Sequence, residues 1–208
     1  MFCEISKKQK KMAKRHKVTV EASKRHVHLS RKEIDKLFGK GYSLKISREL
    51  SQPGQFAAEE RVHLINGDRI IENVRVLGPE REKAQVELSD SDARQLGIDA
   101  PIRGSGDHKD TLGIKLEGPK GSVLIKKGVI KAQRHLHASD EEAKRIWLRN
   151  GQTIKIMIPH SNVTFKDVLV RVHPKYRLAV HLDSDEAGIA DIERTALGEL
   201  ILEEEDEE

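Results

Sequence analysis

Apolar residues along this chain recur mostly with period two, in short runs cut by turn residues. Arg61-Val62-His63-Leu64-Ile65, then Asn66-Gly67, then a Val/Ile-rich run to Leu77 predicts a β-hairpin. Strand side chains alternate between two faces, and Asn-Gly tolerates the positive φ of a tight turn. Runs at 113–117 and 122–125, joined through Gly118-Pro119-Lys120-Gly121, predict a second hairpin. Helical patterning is confined to short stretches. Ser30-Arg31-Lys32-Glu33 and Ser139-Asp140-Glu141-Glu142 each spell a capping box, in which the serine caps a free helix N–H and the glutamate reaches back. They open helices over roughly 31–38 and 140–148, closed near Gly39 or Gly41 and near Gly151. A strand follows each, at 43–46 and 153–157.

These elements come in two matched sets. Arg25-His26-Val27-His28-Leu29-Ser30 returns 109 residues later as Arg134-His135-Leu136-His137-Ala138-Ser139. Val86-Glu87-Leu88-Ser89-Asp90-Ser91-Asp92-Ala93 aligns with Val180-His181-Leu182-Asp183-Ser184-Asp185-Glu186-Ala187, each a strand running into a capped helix. Proline precedes both, at Pro79 and Pro174. The expected architecture is mainly β with short capping helices: two tandem β-barrel-like domains related by an internal repeat, with a metal site between them. The expected bounds are 18–112 and 113–200, flanked by a mobile basic arm at 1–17 and an acidic tail at 201–208.

Bulk properties narrow the classes. The 208 residues suffice for two small cores. Charged residues make up 35% and aromatics 3%, and the net charge is +4. Seven Lys or Arg fall within 7–17, and 203–208 are all acidic. No aromatic residue is interleaved in the basic run to stack on bases, so nucleic acid is an unfavoured partner. Cys3 is the only cysteine, which excludes an internal disulfide framework and a cysteine-rich zinc site. No apolar run approaches 18 residues, and lysines fill the segment where a signal peptide needs an apolar stretch. The expected location is the cytoplasm.

The chemistry lies in the repeat. A His-x-His pair on a strand puts both imidazoles on one face, half a ligand set for a borderline metal such as zinc. Adding the later matched position gives two triplets: His26, His28 and Glu87, and His135, His137 and His181. Three protein ligands leave one coordination position for water or substrate, as in catalytic rather than structural zinc. Two such centres would polarise a carbonyl or hold an anion. His16, His63, His108, His160 and His173 lack matched partners and read as surface or structural. Walker-type, nucleophile-elbow and His-Glu-x-x-His motifs are missing. Gly104-Ser105-Gly106 reads as a turn that could approach a phosphate.

Longer segments carry a resemblance. Ser23–Ser30, Ser51–Glu60, Asn73–Pro79, Gln85–Glu87, Leu96–Pro101, Gly118–Val123 and Gly128–Ile130 together resemble the Pdu-type phosphotransacylases, or phosphate propanoyltransferases, over about residues 18–190. The resemblance implies two β-barrels with a two-zinc site. It implies the reaction acyl-CoA + phosphate ⇌ acyl phosphate + CoA, with propanoyl-CoA or acetyl-CoA as substrate. It places one metal on His26, His28 and Glu87 and the other on His135, His137 and His181. It assigns phosphate to Arg81 and substrate contacts to Ser23, Gln55 and Ser105. Ala84 stands where the family pattern leads one to expect threonine. Family members packaged in bacterial microcompartments carry an amphipathic N-terminal extension, whereas residues 1–17 here are basic and lack an apolar stripe. A microcompartment, its shell or lumen proteins, and a second copy of the chain are the further candidate surroundings. The alternative enzyme class is a two-metal hydrolase of a thioester or phosphoester. A non-catalytic metal or nucleic-acid binding module is the third class.

Overall fold

A computed structural model describes residues 15–202. In chain order the elements are β1 (Arg15–Ser23), β2 (His26–His28), α1 (Arg31–Phe38), β3 (Ile46–Glu49), β4 (Phe56–Asn66), β5 (Arg69–Gly78), β6 (Gln85–Leu88), α2 (Asp90–Leu96), β7 (Ile102–Arg103), β8 (Leu112–Gly118) and β9 (Gly121–Ala132). Then come β10 (His135–Ala138), α3 (Asp140–Arg145), β11 (Thr153–Ile158), β12 (Val163–Val172), β13 (Ala179–Asp183), α4 (Ser184–Ile189) and β14 (Thr195–Ile201). Both predicted hairpins form, as β4–β5 and β8–β9. The first turns one residue later than expected: Asn66 pairs with Arg69, and Gly67, at φ +58°, opens the loop.

The strands close into two six-membered rings. One is β1-β13-β10-β12-β11-β14. The other runs β2-β6-β9-β8-β4-β5 and back to β2, with β3 and β7 attached at its margins. Closure leaves the ring strands no free edge. Each ring has its own apolar filling, for example Val27, Val62, Leu64 and Val129 in one, and Val20, Leu136, Ile156 and Val180 in the other.

The rings do not follow the expected domain bounds. β1 was expected at the start of the first domain, yet it pairs in parallel with β13 and antiparallel with β14, inside the second barrel. Conversely β8 and β9, expected to open the second domain, belong to the first barrel, with β9 parallel to β6. The two departures are one feature. β1 precedes β2 and β9 precedes β10, and each pairs in the barrel that does not contain its successor. The repeat shift of 109 relates Val20 to Val129 and Glu21 to Ile130, and these occupy matching register positions beside β13 and β6. The halves thus exchange their leading strands. Strand pairing is non-local, so alternation along β1 shows that it is a strand without showing whose.

Smaller departures are local. Residues 15–17, expected in the mobile arm, are the start of β1 and pair with 199–201; Ile201, expected in the tail, pairs with both Arg15 and Lys155. The rest of the arm and residues 203–208 lie outside the described residues. Ser139 forms the predicted capping box with Glu142. Ser30 does not cap the backbone; its hydroxyl bonds the Glu33 carboxylate instead. The second helix stops at Arg145, so Gly151 belongs to the turn before β11. β3 starts at Ile46, where the expected strand was to end. Among the described residues no helix is long and apolar enough to cross a membrane.

Candidate functional site

The exchange of strands builds the site. After β1 the chain crosses to the other barrel through Lys24-Arg25, and after β9 it crosses back through Gln133-Arg134. His26 and His135 are the first residues beyond each crossing. The crossing backbone holds them: His26 Nδ1 lies 2.9 Å from the Lys24 carbonyl oxygen, and His135 Nδ1 lies 2.8 Å from that of Gln133. A carbonyl only accepts, so each Nδ1 carries a proton, and Nε2 is the nitrogen each ring turns toward the cluster.

Strand register supplies the remaining donors. His28 and His137 sit two residues on, on the same face. Glu87 on β6 lies directly opposite His26, and His181 on β13 directly opposite His135. Within each group the candidate donor atoms lie within 4.8 Å of one another. Glu87 Oε2 is 3.5 Å from His26 Nε2, and Oε1 is 3.8 Å from His28 Nε2. In the other group the ring centroids of His135, His137 and His181 are 4.6 to 5.1 Å apart.

Protonation states differ between the groups. Burial, reinforced by neighbouring imidazoles, brings His135 down to about 3 and His137 to about 2. Burial also brings His181 to about 4, against the opposing pull of Glu87. These three are neutral at ordinary pH. Burial works against charge on His26 and Glu87 too, but their mutual attraction wins: His26 is raised and Glu87 is held well below the usual carboxylate range. His28, buried between His26 and Arg81, is pushed well below its ordinary value.

Both nitrogens of His137 and Nε2 of His181 are buried with no hydrogen-bond partner among the described residues. Orphaned buried donors and acceptors are costly, so these nitrogens suit a ligand that takes up their lone pairs. Three converging imidazoles, and two imidazoles with a carboxylate, are donor sets that fit a divalent borderline cation such as zinc. His181 is further oriented by Glu21 of the exchanged strand, whose Oε2 is 3.5 Å from its Nδ1.

Both groups line one cavity of about 1160 Å³, and so do Arg81, Ser105, Ser23 and Gln55. All ten residues singled out from sequence therefore come together. Arg81 donates to Ser105 Oγ at 3.0 Å, and its backbone N–H bonds the Leu29 carbonyl just past β2. Gly104-Ser105-Gly106 forms the expected turn, but one reaching into the cavity wall.

Four further lining or supporting residues escaped sequence reasoning. Arg171, on β12 opposite His137, extends toward Arg81, with its guanidinium 3.5 Å from the Ser105 carbonyl. Tyr176 packs its ring 4.0 Å from that of His137. Buried Gln52 bridges the barrels, donating to the Arg177 carbonyl at 3.0 Å and accepting from the Arg177 N–H at 3.2 Å. Gln85 lies two residues before Glu87 and is 1% exposed. Gln52 and Gln85 fall inside quoted motifs, which was a usable signal. Arg171 and Tyr176 had none, because only pairing across strands brings them in.

Residues 19–193 match the family model described as phosphate propanoyltransferase. A phosphate propanoyltransferase of Leptotrichia buccalis is 50% identical over 170 residues, covering 81% of this chain and 80% of that one. One from Thermotoga maritima is 44% identical over 175 residues, covering 83% of each. One from Enterococcus faecalis is 42% identical over 183 residues, covering 88% and 87%.

Proposed function

This chain belongs to the phosphate propanoyltransferase family, and we propose that it transfers a short acyl group, propanoyl or acetyl, between coenzyme A and inorganic phosphate. The observation that supports this reading most is that two three-donor groups and two arginines, drawn from both barrels, face one cavity. The reaction joins a phosphate oxygen to the thioester carbon and breaks the carbon–sulfur bond. The thiolate leaves and takes up the proton that phosphate sheds.

In this reading His26, His28 and Glu87 hold one zinc ion, and His135, His137 and His181 hold a second. When bound, zinc supplies Lewis acidity toward the carbonyl and phosphate oxygens. The chain's own side chains do the positioning. Arg81 matches phosphate oxygens with its guanidinium fork, and Arg171 adds a second cation from the other barrel. Ser105 aims Arg81 through its hydroxyl. Holding phosphate beside the thioester makes a two-body encounter effectively intramolecular. Ser23 and Gln55 sit on the cavity wall where an acyl-CoA would lie.

The test combines elemental analysis of protein purified without chelator with acyl-CoA assays with and without phosphate. Two metal equivalents, phosphate-dependent CoA release and loss of activity on chelation are expected. CoA release at equal rate without phosphate would make the protein a hydrolase and overturn the reading.

A further inference from the structure

The amide of Gln85 has every hydrogen-bonding position filled. Its Nε2 donates to Glu87 Oε1 at 2.6 Å and to Ser105 Oγ at 3.0 Å. Its Oε1 accepts from the Gly106 N–H at 2.7 Å and lies 3.2 Å from His108 Nε2. The Gly106 N–H can only donate, which settles the orientation of the amide. Ser105 Oγ in turn donates to Glu87 Oε1 at 2.8 Å while accepting from Arg81. Glu87 Oε1 is therefore occupied by two hydrogen bonds, and Oε2 is the oxygen left facing His26. The matching position in the other barrel is Ala179, paired with His137 as Gln85 is paired with His28. There the third donor is an imidazole and this support is not built.

We propose that Gln85 is a positioning residue that ties the metal-binding carboxylate to the phosphate-binding arginine. One amide holds Glu87 by Oε1, so that Oε2, the oxygen these bonds leave free, is the one nearest His26. Through Ser105 and Gly106 it also fixes the turn against which Arg81 is aimed. A displacement at either end is felt at the other, since the shared hydroxyl of Ser105 cannot move without loosening both. The role given to Arg81 rests on the acyltransferase reading above; the link between Gln85, Ser105 and Glu87 does not.

The test uses the full chain as Gln85→Met, which keeps length and bulk but removes both polar atoms, together with Ser105→Ala and the double variant. Metal per chain, phosphate affinity by calorimetry, and KM for phosphate and for acyl-CoA are measured. Gln85→Met should lose metal from one site during dialysis against a weak chelator and raise the phosphate KM about tenfold. The acyl-CoA KM should stay within about twofold. Ser105→Ala should raise the phosphate KM similarly, and the double variant should be no worse than the worse single one, because both cut the same link. Unchanged metal content with unchanged phosphate KM in Gln85→Met, or multiplying effects in the double variant, would overturn the proposal. If Gln85→Met does not fold, a near-normal phosphate KM in Ser105→Ala overturns it alone. If the wild type shows no phosphate-dependent CoA release, the reaction assignment fails, and metal retention with calorimetry still decides the link.

Discussion

The two barrels follow one plan up to the last donor and then diverge. Each receives its leading strand from the other half, each carries His-x-His just past the crossing, and each places a third donor opposite the first histidine. In one barrel that donor is Glu87, backed by Gln85 and Ser105. In the other it is His181, backed by Glu21. The difference is one of charge. A divalent ion beside two imidazoles and a carboxylate keeps about one net positive charge, and beside three neutral imidazoles it keeps two. A duplicated scaffold can thus present two unlike electrophiles to one cavity.

The largest effects should come from dismantling one group while sparing the other. His137→Ala is expected to lose one metal equivalent and lower turnover at least about a hundredfold, on the order of removing a group that stabilises transition-state charge. Glu87→Gln keeps the shape of the other group but removes its charge, and it should cost a similar factor. Elemental analysis should find one metal equivalent in each variant, since each should retain the ion of its intact partner group. Loss of both ions from either variant would show that the groups bind as a unit and would dissolve the contrast drawn between them.

How far the sequence reveals this comparison depends on distance along the chain. His26 and His28 are legible because two residues suffice to place them on one face. Glu87 and His181 are legible because the repeat repeats them. Both donor groups could therefore be read as lists. The reciprocal exchange of β1 and β9 could not, because Val18 and Val20 alternate in the same way whichever barrel they fill. Arg171 was invisible for the same reason: only the register of β10 with β12 sets it opposite His137. Gln85 stood in view inside a recognised motif, but its worth lies in four contacts to Glu87, Ser105, Gly106 and His108, three of them some twenty residues away.

The two arginines give the next effect. Arg81 is half-buried and hydrogen-bonded to Ser105, whereas Arg171 reaches in from the other barrel. Arg81→Ala should lower kcat/KM for phosphate about a hundredfold, with Arg81→Lys recovering little, because an ammonium cannot reproduce the fork. Arg171→Ala should cost less, about tenfold, and Arg171→Lys should recover most of it if Arg171 contributes charge rather than geometry. Equal losses, or lysine rescue at Arg81, would assign the anion differently between the barrels.

A smaller effect tests the exchanged strand. A chain begun at Val18 loses the pairings of Arg15, His16 and Lys17 with Ile201, Leu200 and Glu199. At about 1 kcal/mol of net stability per lost backbone hydrogen bond, it should be destabilised by about 1–3 kcal/mol relative to a chain begun at Arg15. Denaturant unfolding reads the difference. Turnover of the folded, metal-loaded fraction should match, since neither His16 nor Lys17 lines the cavity. Equal stability would mean that the outer end of β1 contributes nothing to closing its barrel.

The smallest effect comes from the serines that look alike in sequence. Ser139 Oγ accepts from the Glu142 N–H at 3.2 Å, while Ser30 caps no backbone group. Ser139→Ala should therefore cost about 1 kcal/mol and Ser30→Ala clearly less. Acid sharpens the contrast. Burial pushes the Glu142 carboxyl up, but bonds from the Ser139 and Leu178 backbone and from the Ser139 hydroxyl prevail and hold it below 4.5. A depressed carboxyl stabilises the fold above its ordinary pKa, and that stability is lost as pH falls through the lowered value. The gap between wild type and Ser139→Ala should therefore be full at neutral pH and narrow below about pH 4, followed by thermal unfolding. A gap that persists at pH 3 would mean that the box is held by Ser139 alone, without its charged partner.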